Sequence, residues 1–245
     1  MDARNLELGS FFIFASLGFY VIKNIYTIVR QKLGPYLGQH MLRCLIFDLG
    51  NVLIFFNRET ALRNIVNLTS LPESVIIQDF HYDKRAIAYE KGLITTADFF
   101  QDFLKRHHCQ ASMNDLIHAY SDMFYPNQPL IDLLPRFKEQ GLRLILLSNT
   151  NEAHFQHIER HYPFLKLFDA FTLSYECHGM KPDEEIYRCA LRQAGCAPHE
   201  CFYTDDIDLN VEGALKCGLK AAPFTTNEAY CAQLKSHAII LNDLP

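Results

Sequence analysis

Leu45-Ile46-Phe47-Asp48-Leu49-Gly50-Asn51-Val52 places a carboxylate directly after an apolar run. The run reads as a buried strand, and open α/β sheets place their ligand crevice outside the carboxyl ends of their strands. Asp48 is therefore a candidate covalent nucleophile. Taken alone, an Asp at this position also fits a turn or a helix cap. Three later stretches repeat the arrangement. Ser148-Asn149-Thr150 follows the strand-like Leu142–Leu147, Lys181-Pro182 opens a helical stretch, and Asp205-Asp206 follows the apolar Cys201–Thr204.

Outward from these points the chain alternates apolar runs with amphipathic stretches. Strands are predicted over Leu42–Phe47, Leu142–Ser148, Ala170–Leu173, Cys201–Thr204 and Ala221–Phe224, with helices over Asp183–Ala194 and Leu209–Cys217. Such alternation indicates a parallel sheet covered by helices on both faces. Residues 57–127 break the alternation with helical periodicity over Thr60–Leu68, Lys84–Lys91, Thr96–Lys105 and Asn114–Phe124. That is too long for a connection within one layer and predicts an inserted helical domain.

The four stretches read FDLGNVLI, LLSNTN, HGMKP and FYTDDIDLNVEGA. In this order they resemble the motifs of the haloacid dehalogenase-like (HAD) hydrolases, and most closely those of bacterial sugar-phosphate phosphatases, including enzymes that act on α-D-glucose 1-phosphate. The resemblance runs from about Leu42 to Thr225. It implies a Rossmannoid α/β core over residues 41–56 and 128–245, with a helical cap over 57–127. It also implies Mg²⁺-dependent hydrolysis of a small phosphomonoester through an aspartyl-phosphate. In that scheme Asp48 attacks phosphorus, Ser148, Asn149 and Lys181 hold the phosphoryl oxygens, and Asp48, the Gly50 carbonyl, Asp206 and its neighbour Asp205 surround the metal. Asn210 supports the metal ligands, and Asp208 faces solvent.

One position departs from most such phosphatases, which carry a second Asp two residues after the nucleophile to handle the leaving-group proton. Here that position is Gly50. A general acid is typically worth about 10²–10⁴-fold, so another group must take the role. His81, Tyr82, Asp83 and Glu90 are candidate partners for sugar hydroxyls in the cap. His154, His157 and His161 fall near one face of the helix after LSNTN, and adjacent His107 and His108 point apart.

A net charge of −5, with 23 Lys and Arg scattered along the 245 residues, argues against a nucleic-acid partner. The eight cysteines have no zinc-ligand spacing and read as free thiols. Residues 1–40 are different: from Leu8 to Ile22 there is no charge and the apolar residues cover every face. This predicts an apolar helix and a linker, the helix spanning about 22 Å on its own and reaching membrane thickness if it continues to Val29. Lys23, Arg30, Lys32 and Arg43 after it, against Arg4 before it, predict a single-pass anchor with the catalytic domain on the cytoplasmic side. Two other readings stay open. One is a metal-free 2-haloacid dehalogenase, against which the acidic pair speaks; the other is an inactive, membrane-bound binding module.

Overall fold

The computed structural model describes residues 42–237 and 239. The apolar helix and membrane anchor expected within residues 1–40 lie outside the described residues. Among the described residues no helix is long and apolar enough to cross a membrane.

Five parallel strands form the main sheet: β1 (Cys44–Phe47), β4 (Arg143–Ser148), β5 (Ala170–Leu173), β6 (Cys201–Asp205) and β7 (Lys220–Pro223). Their order across the sheet is β5-β4-β1-β6-β7. The central strand explains why its sequence is a continuous apolar run, because both of its faces are covered. Leu45 and Phe47 face one core with Phe137, Ile158 and Tyr230 from three helices. Cys44 and Ile46 face the other, with Tyr187 and Ala190 from the helix Glu184–Ala194 and Ala214 from the helix Asp208–Lys216. Every side chain of β1 is fully buried.

Residues 58–121 form a helical layer with its own core. Its helices are Arg58–Thr69, Glu73–Ile77, Lys84–Glu90, Thr96–Arg106 and Met113–Ser121, with a single π-helical turn over Gln78–Tyr82. Ile65, Ile76, Phe80, Phe100 and Leu116 are buried among them, and the Phe80 ring meets Phe99, Phe100, Phe103 and Tyr120. Side-chain caps start four of these helices: Asn57 accepts from the amides of Glu59 and Thr60, Asp83 from Arg85, Thr95 from Asp98 and Ser112 from Asp115. Each such cap contributes about 1 kcal/mol.

A two-stranded antiparallel ribbon flanks this layer. β2 (Ile54–Phe56) pairs with β3 (Phe124–Pro126), Ile54 opposite Pro126 and Phe56 opposite Phe124. The helix expected to run to Phe124 ends at Ser121. Long-range pairing takes Phe124 into the ribbon, where the Asn57 amide bonds the Met123 carbonyl and the Asn127 amide bonds Leu53. Pairing across some seventy residues leaves no trace in local periodicity.

Candidate active site

β1, β4 and β6 lie side by side, so residues at their carboxyl ends meet. Phe47 is in register with Leu146 on one side and Thr204 on the other, which brings Asp48 beside the ends of β4 and β6. The Asp48 amide donates to the Thr204 carbonyl at 3.0 Å, continuing the sheet by one residue. Its carboxylate accepts from the Leu49 amide at 2.7 Å.

Lys181 reaches this point from the loop before the helix Glu184–Ala194. Its ammonium lies 2.7 Å from Asp48 and 2.7 Å from Asp205, and donates to the Leu147 carbonyl at 3.3 Å. Asn149 fixes the loop by a reciprocal pair: its side-chain amide donates to the Lys181 carbonyl at 3.0 Å and its oxygen accepts from the Lys181 amide at 2.8 Å. Asp48, Ser148, Lys181 and Asp205 are all buried. A buried ammonium between two carboxylates satisfies the rule that buried charges are paired. Burial disfavours the Lys181 ammonium, but Asp48 and Asp205 outweigh it and raise its pKa. Burial pushes the Asp48 carboxyl up to about 7, against the pull of Lys181. For Asp205, burial raises the pKa but Lys181 and its hydrogen bonds win, and the carboxylate stays below the ordinary range.

Asp205 and Asp206 play different parts. Both oxygens of Asp205 are bonded, by the Ile207 amide at 2.8 Å, by Asn210 at 3.0 and 3.1 Å, and by Lys181 and the Tyr203 hydroxyl. Asp206 is more open and accepts from the Asn51 side chain at 2.9 Å. Oxygens of Asp48, Asp205 and Asp206 lie within 4.8 Å of one another. This all-oxygen donor set suits a hard divalent cation such as Mg²⁺. Asp208 is exposed, as expected, and Asn210 is buried against Asp205.

A cavity of about 530 Å³ opens over the site, bounded by Leu49, Gly50 and Ser148 on one side and by the helical layer on the other. Glu59, His81, Tyr82 and Glu90 line it. Asp83 is occupied elsewhere, capping the helix Lys84–Glu90 through the Arg85 amide at 2.7 Å. His107 is bonded to Asp79, away from this cavity. His154 lines the cavity wall, stacked on Tyr120 at 4.1 Å, while His157 and His161 stack on each other outside it. All eight cysteines are free thiols.

Several site residues were not legible in the sequence. Phe56 packs so closely on Gly50 that a Cβ there would lie 3.2 Å from its ring. Asn51, at φ 55, ties the first loop to Asp206. Ser174 bonds the Glu90 carbonyl at 2.7 Å and the Thr150 amide at 3.0 Å, joining the helical layer to the loop after β4.

The family model of haloacid dehalogenase-like hydrolases matches residues 42–218. An uncharacterized Dictyostelium discoideum protein is 29% identical over 68% of this chain and 71% of its own length. The sesquiterpene phosphatase astK of Aspergillus oryzae is 27% identical over 78% of this chain and 93% of its own. Among solved structures, HAD family enzyme bt-2542 of Bacteroides thetaiotaomicron, in complex with magnesium and inorganic phosphate, is similar at a TM-score of 0.70. It is 28% identical, and the match covers 78% of this chain and 98% of that one. With the four motifs gathered at the ends of β1, β4 and β6 and the family model spanning both the core and the helical layer, this chain belongs to the haloacid dehalogenase-like hydrolases.

Proposed function

We propose that this protein hydrolyses a phosphomonoester through an aspartyl-phosphate, with Mg²⁺ as its cofactor. The observation that carries the reading is the buried Lys181 ammonium, held at 2.7 Å from Asp48 by a second carboxylate, Asp205, that is itself fully bonded. A carboxylate nucleophile facing a phosphate dianion needs fixed positive charge, and preorganised electrostatics supply most of the catalysis in phosphoryl transfer. The magnesium and phosphate bound by bt-2542 support the same chemistry here.

In this reading an Asp48 oxygen forms a bond to phosphorus as the ester P–O bond breaks. Water then attacks phosphorus, releasing phosphate and restoring Asp48. Lys181, Ser148 and the Asn149 backbone amide orient the phosphoryl oxygens, the Asn149 side chain being tied to the Lys181 backbone. Asp48, Asp206 and the Gly50 carbonyl would hold Mg²⁺, which when bound neutralises charge between nucleophile and phosphate. Asp205, whose oxygens are all occupied, positions Lys181 instead of serving as a direct ligand. The acidic cluster disfavours the dehalogenase alternative, since displacement of a halide gains nothing from a cation site.

Phe56 fills the space beside Gly50, so the leaving oxygen takes its proton from elsewhere. Glu90 is the group we assign. It lines the cavity, its main chain is tied through Ser174 to Thr150, and burial raises its carboxyl above the ordinary value against the opposing charge of Arg58. Glu90→Gln is expected to slow an alkyl phosphate by roughly 10²-fold and p-nitrophenyl phosphate far less, because nitrophenolate leaves without a proton. Equal losses on the two esters would reject the assignment. Phosphate release with and without Mg²⁺, on wild type and Asp48→Asn, tests the function itself; release that persists in Asp48→Asn would reject it. The sugar-phosphate subclass implied by the FDLGNV motif rests on resemblance alone, and the cavity lining bears on it.

A further inference from the structure

We propose that the cavity over Asp48 receives an apolar leaving group, so that the substrate is the phosphate ester of a hydrophobic alcohol rather than of a sugar. This rests on the phosphatase reading above and specifies its substrate.

The helical-layer side of the cavity carries Ile65, Ile76, Ile77, Phe80, Ala86 and Ile87, with Arg58, Glu59, His81 and Glu90 among them. Its near wall carries Ile54 and Phe56, the latter against Gly50. A volume of about 530 Å³ is in the range that buries a drug-sized ligand and well beyond the needs of a phosphate. A buried sugar brings several hydroxyls, each of which costs free energy unless it finds a partner. Several polar groups here are committed, although Glu90 and His154 Nε2 are not. Asn149 is paired with the Lys181 backbone, the Tyr120 hydroxyl and His154 Nδ1 both meet the Asn151 side chain, and Asp83 caps its helix. Arg58, Glu59 and His81 are exposed.

The mouth continues the apolar path. Tyr82, at the end of the π-helical turn, is 72% exposed and Ile87 is 50% exposed, and both line the cavity. The π-helical turn Gln78–Tyr82 also supplies Phe80 to the wall, and such irregular turns recur at functional sites. Bulky apolar side chains at the lip of a pocket shield a hydrocarbon tail that a sugar does not possess.

The test uses the full chain with Mg²⁺ and a series of straight-chain alkyl phosphates from methyl to decyl, kept below micelle formation, with glucose 1-phosphate alongside. Each methylene buried in the cavity is expected to raise kcat/KM by roughly two- to fourfold until the cavity is full. Decyl phosphate should then exceed glucose 1-phosphate by well over tenfold. A flat series, or glucose 1-phosphate as the better substrate, overturns the proposal and leaves the phosphatase reading standing. Absence of Asp48-dependent release from every ester overturns both. Ile87→Asp is chosen because the position is half exposed and tolerates a charge without loss of the fold. It is expected to flatten the chain-length dependence; an unaltered slope would also overturn the proposal.

Discussion

The strand-tip end of the site and the helical layer that faces it are held by opposite means. At the strand tips, polar groups are over-determined: Asp205 takes five hydrogen-bonding contacts, Lys181 sits between two carboxylates, and Asn149 grips the lysine backbone twice. Across the cavity, Ile65, Ile76 and Phe80 present little but packed hydrocarbon. The layer is tied to the sheet by a few polar seams. The Tyr89 hydroxyl accepts from the Ala153 amide, Ser174 bonds Glu90, and His178 meets the Lys91 carbonyl at 3.0 Å. Chemistry that depends on charge needs fixed partners, whereas apolar recognition needs only shape. One end can therefore stay constant while the other is re-lined.

The largest break in this comparison is expected from Asp48→Asn, which should lower phosphate release by about 10⁴-fold or more in single-turnover assays. Lys181→Met leaves Asp48 and Asp205 as buried like charges with no cation between them. It should cost roughly 3–5 kcal/mol in urea unfolding, besides abolishing turnover. Neither change should alter the binding of a long-chain alcohol, which reads only the apolar end.

Gly92→Ala tests the opposite side. Gly92 has φ +64, and a Cβ there would lie 1.9 Å from the Tyr175 carbonyl oxygen. The clash should cost about 2–3 kcal/mol and loosen the layer from the sheet, seen as a lower Tm and a higher KM for long-chain esters than for methyl phosphate. The smallest effect concerns His154, whose burial lowers its pKa from 6.5 to about 3. Between those values the unfolded chain binds a proton that the folded one refuses, so this residue makes stability rise with pH from about 3 to 6.5 and its contribution is lost on acidification. His154→Phe should make the stability-versus-pH slope in that window shallower by close to one proton.

The parallel core was largely legible. β1 is apolar on every residue because it is buried on both faces, and predicted strand and helix limits fall within one or two residues of those observed, as at Leu142–Ser148 against Arg143–Ser148. Asp48, Ser148, Lys181 and Asp205 could be named because each follows a strand or opens a helix. The ribbon of β2 and β3 was not legible, since three-residue strands paired across the inserted layer carry no local period. Asp83, a candidate sugar partner by its place in the chain, caps a helix instead, because the same carboxylate serves either purpose and only the neighbouring Arg85 amide decides.

The sequence by itself determined the alternation of elements, the insertion after β1, and the acidic, hydroxyl and lysine groups at the strand tips, because local periodicity and residue chemistry are written along the chain. Tertiary structure alone decided that Lys181 bridges Asp48 and Asp205, that Phe56 closes over Gly50, and that apolar side chains from separate helices form one wall of the cavity. Those facts depend on contacts between residues distant in the chain, where packing and not sequence proximity sets which groups meet.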